Sequence, residues 1–334
     1  MPEAKFSFPN QFLWGTATSA YQVEGYNTNN WSDWELSGRI MSGHSCGTAC
    51  DWWGGRWRED FDRAAETGQN THRLSIEWSR IQPTPTRWDE NALDYYRQMV
   101  RGLQERGLKP MVTLHHFTNP LWVDEMGGWE NEAVISAFEA YVRRVVEGLQ
   151  EFVDLWCTIN EPNGFAVSGY MLGDFPPGKK DLRAVYRVLV NLIRAHAAAY
   201  HTIHEIQSEA QVGLAHQYRG FTPAKSWFPL DGWVAKGLSS SFNEAIPHTL
   251  KSGKLRFLSQ RKAIPQAKNT QDFLGINYYT RDYVAFNPLT PGALFGKRFF
   301  NPEVEVSPTG FIANEPGQFF QALKWGCNSN FPFM

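Results

Sequence analysis

The chain has 334 residues, 42% of them hydrophobic and 15% aromatic, with a formal net charge of −2. Such a composition supports a sizeable core and argues against disorder, while the near-neutral charge argues against a broad electrostatic footprint for nucleic acid. Cys46, Cys50, Cys157 and Cys327 show no metal or redox spacing, and residues 1–5 lack a signal-peptide pattern; free thiols, no membrane span and a cytoplasmic location are the expectation.

Short apolar runs alternate with longer amphipathic stretches. In chain order, strands are predicted at residues 12–17, 72–76, 110–114, 155–160, 211–215 and 273–277. Helices are predicted at 56–67, 90–106, 131–151, 182–208 and 230–251. Gly68 and Gly107 stand where helix C-caps are wanted, and Arg143 with Arg144 reads as a solvated helix face. This alternation predicts a parallel sheet covered by helices. It does not by itself separate a closed barrel from an open doubly wound sheet.

Two features favour the barrel. The first strand leads into Trp14-Gly15-Thr16-Ala17-Thr18-Ser19-Ala20, which is no Gly-rich phosphate loop. Polar residues also collect at the strand ends: Gln22 and Glu24, Arg73 and Glu77, His115 and His116, Asn160 and Glu161, Asn277 and Tyr279. In a barrel those ends converge on one face, where catalytic groups are mounted. Residues 284–316, rich in Pro, Gly and Asn, read as a long loop over that face. The 14 Trp present flat apolar faces that suit sugar rings as well as ordinary packing.

The sharpest local signal is Leu155-Trp156-Cys157-Thr158-Ile159-Asn160-Glu161-Pro162. An apolar run delivers two polar side chains to a strand end, and Pro162 then stops regular pairing. A carboxyl group in a partly desolvated cleft has a raised pKa, as a general acid requires. The tripeptide alone also fits an ordinary strand end with a solvated Glu. Asn314-Glu315-Pro316 repeats it without a leading strand, so Glu315 is expected to be a loop residue.

Taken together, the segments are more specific. Phe12-Leu13-Trp14-Gly15-Thr16-Ala17-Thr18-Ser19-Ala20-Tyr21-Gln22-Val23-Glu24-Gly25 resembles the N-terminal signature of glycoside hydrolase family 1. So do His72-Arg73-Leu74-Ser75-Ile76-Glu77-Trp78, Thr113-Leu114-His115-His116-Phe117, Thr158-Ile159-Asn160-Glu161-Pro162 and Gly275-Ile276-Asn277-Tyr278-Tyr279. They occur in family order over residues 8 to 279. The resemblance implies an α/β fold of the (β/α)8 TIM-barrel type and a retaining β-glycosidase, β-glucosidase-like, with no cofactor. It implies Glu161 as general acid/base and Gln22, His116 and Asn160 as groups that bind sugar hydroxyls. It further implies that Arg73 and Tyr279 contact the nucleophilic carboxylate, and that Asn277 supports the site. His116 has the plainer reading of a packed histidine. His115 and His116 are adjacent, so they cannot share one ligand face of a strand, and no metal is expected.

The resemblance departs at one point. The family nucleophile is a Glu in a Thr-Glu-Asn-Gly segment, which this sequence lacks. The pattern leading to it is visible at Ala322-Leu323-Lys324-Trp325 and breaks from Gly326 onward. The expectation is therefore one domain over residues 1–334, incomplete at its C-terminus, with about six of eight barrel units and weak or no hydrolysis. An open sheet edge of this kind is expected to self-associate or to take a complementing chain. The alternative is a non-catalytic sugar-binding or complementing fragment of a split glycosidase. A small β-glycoside or oligosaccharide is the expected ligand.

Overall fold

The computed structural model describes residues 7–40 and 42–328. The sequence readings at residues 1–5 and 329–334 lie outside them. The chain forms β1 (Gly15–Ala17), β2 (Thr71–Ser75), β3 (Lys109–His115), β4 (Leu155–Asn160), β5 (Gln211–Pro223), β6 (Lys254–Phe257), β7 (Gln260–Ala263), β8 (Phe273–Phe286) and β9 (Gly296–Phe299). Strands β6 and β7 make a separate hairpin, and the others form one sheet in the order β1-β2-β3-β4-β5-β8-β9.

Every pair from β1 to β8 is parallel. Strand order follows chain order without reversal. A doubly wound sheet changes direction at a switch point, whereas right-handed crossovers that always step to the next strand place every helix on one side. That is barrel construction, as the sequence predicted.

The helices pack their apolar stripes onto this sheet. In Ala133–Leu149 the buried positions Val134, Phe138, Tyr141, Val142, Val145 and Leu149 recur at helical spacing. Asp89 caps Glu90–Gln104 by accepting from Ala92 N, and Asp181 caps Leu182–Ile206 through Arg183 N. Gly68 and Gly107 take the left-handed conformation that ends a helix, with φ of 79° and 73°. Trp34, Trp52, Trp57, Trp78, Trp129 and Trp156 are buried, so much of the Trp content serves packing. Arg143 and Arg144 lie on an exposed face and pair with Glu205 and Glu90.

Several sequence boundaries move. The first strand shortens to Gly15–Ala17, and Phe12 and Trp14 instead cluster with Phe8 at ring distances of 4.6 to 4.7 Å. The helix predicted at 230–251 is two, Pro229–Ser239 and Ala245–Ser252, joined by a π turn at Ser240–Glu244. Asn243 in that turn binds the backbone of Arg219 on β5 through both ends of its amide, an anchor worth a break in helix geometry. Residues 284–316 are not all loop: β8 runs to Phe286, and β9 pairs antiparallel with it. The helix Phe319–Asn328 continues through Gly326 and Cys327, where the sequence pattern broke. Trp325 in it donates to Glu244 at 2.6 Å and stacks on His216.

Candidate active site

At the end of β4 the backbone turns sharply. Glu161 has φ 46° and ψ 55°, a left-handed conformation rare for a residue with a side chain. The local sequence explains the turn. Pro162 disfavours the right-handed helical region for the residue before it, and itself opens the helix Pro162–Val167 at a position needing no N–H. Glu161 N still donates to Ala215 O at 2.6 Å, and Glu161 O accepts from Phe165 N at 2.8 Å. A register shift between β4 and β5 after Cys157 re-aims the strand end. Asn160 and Glu161 are both buried.

The Glu161 carboxylate is held on one side only. Its Oε1 accepts from Asn277 Nδ2 at 2.6 Å and from Tyr279 hydroxyl at 2.7 Å. Its Oε2 takes no hydrogen bond from any described residue; a Cβ placed on Gly164 would lie 3.2 Å from it. Burial raises the Glu161 pKa, opposed by the Asn277 and Tyr279 hydrogen bonds and by the Arg73 charge. Tyr279 is in turn pushed up by burial and by Glu161. An oxygen that already accepts two hydrogen bonds is a poor place for a proton. When Glu161 is protonated, the hydrogen therefore belongs on Oε2.

Arg73 stands behind this pair. Its Nη2 donates to Asn160 Oδ1 at 2.7 Å and its Nε to Thr113 Oγ1 at 2.7 Å, while Cys157 Sγ lies 3.7 Å from Nη2. Asn277 reaches Asn160 as well, at 3.1 Å. The result is one connected set: Arg73, Asn160, Asn277, Glu161 and Tyr279, drawn from β2, β4 and β8. Cys157 is a buried free thiol within it.

Comparisons with known proteins give the family. The chain matches glycosyl hydrolase family 1 over residues 4–295. The chain belongs to this family. It is 29% identical to Beta-glucosidase A of Acetivibrio thermocellus over 95% of this chain and 75% of that protein. A beta-glycosidase structure from Pyrococcus horikoshii superposes with a TM-score of 0.89 and 34% identity, covering 98% of this chain and 75% of that one. A beta-glucosidase structure from Thermotoga maritima, in complex with castanospermine, is 27% identical with a TM-score of 0.88, covering 97% and 76%.

Within this family 1 glycosidase the remaining predicted residues sit as follows. His116 follows β3 and is half-buried. Burial, then Arg73 and His115, hold its pKa well below the usual range, so it is neutral, and its Nδ1 has no partner. Gln22 is exposed just beyond β1 and accepts from Ser19 hydroxyl at 2.8 Å; it makes no hydrogen bond to the Glu161 set. Tyr279 bonds Glu161, because β8 brings it beside the β4 end. Arg73 bonds Asn160.

Glu315 is a loop residue, as expected, and it is tied down. It precedes a short 3-10 turn, its carboxylate pairs with Arg281 at 3.1 Å, and its carbonyl accepts from Tyr278 hydroxyl at 2.7 Å. Sequence reasoning missed Gln217 and Asn163. Asn163 Nδ2 donates to Gln217 O at 2.8 Å and Phe242 O at 3.1 Å, tying the Glu161 turn to β5. Extending the fifth predicted strand by two residues would have exposed Gln217 as its polar end.

Proposed function

We propose that this family 1 glycosidase domain, residues 1–334, is of the retaining β-glucosidase type and acts on small β-linked glycosides, with Glu161 as general acid/base. The observation that carries the reading is the asymmetry of the Glu161 carboxyl: Oε1 is occupied by Asn277 and Tyr279, and Oε2 is free to deliver a proton. Burial keeps the group protonated further up the pH scale than an exposed Glu, as a general acid needs. The sugar-like castanospermine bound by the similar Thermotoga maritima enzyme supports a glycoside as the ligand. In this reading His116, Asn160 and Gln22 bind sugar hydroxyls. Arg73 and Tyr279 supply charge and a hydroxyl where a nucleophile would sit. The free cysteines fit a reducing cytoplasm.

Retention requires a second carboxylate about 5–5.5 Å from the first. The charge that acts on Glu161 in the described structure is the cation Arg73, and the sequence contains no Thr-Glu-Asn-Gly. These 334 residues alone are expected to hydrolyse weakly or not at all.

Release of nitrophenol from 4-nitrophenyl β-D-glucopyranoside tests both parts. Brisk turnover by the wild-type chain, lost in Glu161→Gln, would overturn the forecast of inactivity and keep the acid/base role. Turnover undiminished in Glu161→Gln would remove that role. Calorimetric titration with cellobiose should show binding at millimolar concentration, and its absence would eliminate the sugar site.

A further inference from the structure

A cavity of about 560 Å3 opens at Gly164, three residues after Glu161. Gly164 and Gln217 belong to its wall. A Cβ on Gly164 would meet Gln217 Oε1 at 2.4 Å and Glu161 Oε2 at 3.2 Å. The free oxygen of the acid therefore lies next to a residue of this cavity's wall. Two π turns, Ser168–Leu172 and Ser240–Glu244, contribute to the same lining, and such turns are frequent at functional sites.

The chemistry of the lining is unusual for a neutral ligand. Arg219 on β5 grips Asp282 on β8 with two hydrogen bonds of 2.8 Å. Arg298 on β9 reaches the same carboxylate at 3.4 Å. Two guanidinium groups on one carboxylate leave a positive charge. Asp282 and Arg219 are 3% and 12% exposed, so little water screens them. Asp174 also borders the cavity and its charge acts on Arg298, though as an exposed group it is weakened by solvent. Apart from Asp282, Arg298 has no hydrogen-bond partner among the described residues, so its other N–H groups are available. Phe242, Phe300 and Phe311 supply apolar ring surface, the last two each 5.9 Å from the Arg219 guanidinium.

We propose that this cavity receives the leaving group of the substrate, and that it selects an aromatic leaving group carrying an anionic substituent, with Arg298 as the specificity-determining residue. The proposal rests on Glu161 being the proton donor. The rings bury the aryl face, and Arg298 offers the anion the planar donor pair that its single long contact to Asp282 leaves open.

Thioglucosides resist hydrolysis and allow binding to be read without turnover. The probes are 4-carboxyphenyl 1-thio-β-D-glucopyranoside, its neutral 4-hydroxymethylphenyl counterpart and methyl 1-thio-β-D-glucopyranoside, titrated calorimetrically into the wild-type chain. The carboxylate is expected to bind about ten-fold tighter than the neutral aryl compound, the scale of one charge-assisted hydrogen bond. The preference should shrink with salt, vanish in Arg298→Met and persist in part in Arg298→Lys, with circular dichroism confirming that both variants fold. Equal affinity of the two aryl compounds, or a preference that survives Arg298→Met, overturns the proposal. If the methyl compound binds while that preference is missing, only the cavity assignment fails. If no thioglucoside binds, the glycosidase reading falls with it.

Discussion

Tyr279 donates its hydroxyl hydrogen to Glu161 Oε1 at 2.7 Å, across 118 positions of sequence. A hydrogen bond to the ionised form of an acid favours ionisation. Burial already raises Glu161, and Tyr279 restrains the rise. Tyr279→Phe should therefore move the Glu161 pKa further up. Carbon-13 NMR titration of labelled Glu, with Glu161→Gln assigning the resonance, reads this directly. A pKa that stays put or drops contradicts the role given to the hydroxyl.

The β5–β8 pairing places Gln217 opposite Asn277, and so aligns the wall of the cavity with the donor to Glu161. Gly213 lets those strands approach: a Cβ there would lie 2.3 Å from Phe273 O. Because the obstacle is backbone, Gly213→Ala is expected to destabilise the chain by roughly 1–3 kcal/mol. Urea melts at neutral pH measure the loss, and a midpoint equal to wild type would show that the strands separate at no cost.

Acid should unfold this protein early. Burial lowers His72, His115 and His196 to about 4 and His216 to about 3. A depressed folded-state pKa gives stability that is present above the unfolded value and lost as pH falls toward the folded one. The window here runs from the unfolded value of 6.5 down to about 4. Each of the first three contributes roughly 3 kcal/mol and His216 roughly 5 kcal/mol, and together they rival the whole stability of a typical domain, about 5–15 kcal/mol. Denaturant midpoints taken between pH 7 and pH 5 should fall steeply; a flat profile would mean these histidines are protonated at little cost.

Glu24 works in the opposite sense. It accepts from Tyr96 hydroxyl at 2.5 Å and Arg80 Nε at 2.7 Å, yet burial outweighs both and raises its pKa to about 7. Its stabilising contribution is full below the unfolded value of 4.5 and disappears as pH rises through about 7. The free-energy difference between wild type and Glu24→Gln should accordingly shift against wild type by roughly 3 kcal/mol over that range. Paired urea titrations at pH 5 and pH 8 give the number, and a difference independent of pH would show Glu24 ionised throughout.

The chain's own periodicities determined a good deal. Apolar runs at 155–160 and 273–277 announced strands, and stripes at helical spacing announced the helices between them. Pro162 after Glu161 encoded the turn, because a residue before proline is driven out of the helical region. The motif segments carried the family by themselves.

Other features were open to tertiary structure alone. Whether Tyr279 met Glu161 or another carboxylate depended on the β5–β8 register, since in a sheet a slip of one residue exchanges the two faces. The second Asn-Glu-Pro reads as loop in the sequence, and only the fold shows Arg281 closing on Glu315. Arg219, Asp282 and Arg298 lie on three strands and form no local pattern; only the antiparallel return of β9 onto β8 brings their charges into one cavity. Local sequence sets backbone preferences through sterics and periodicity. Burial, and with it the pKa of Glu161 and the pairing of charges, is set by contacts between segments far apart in the chain.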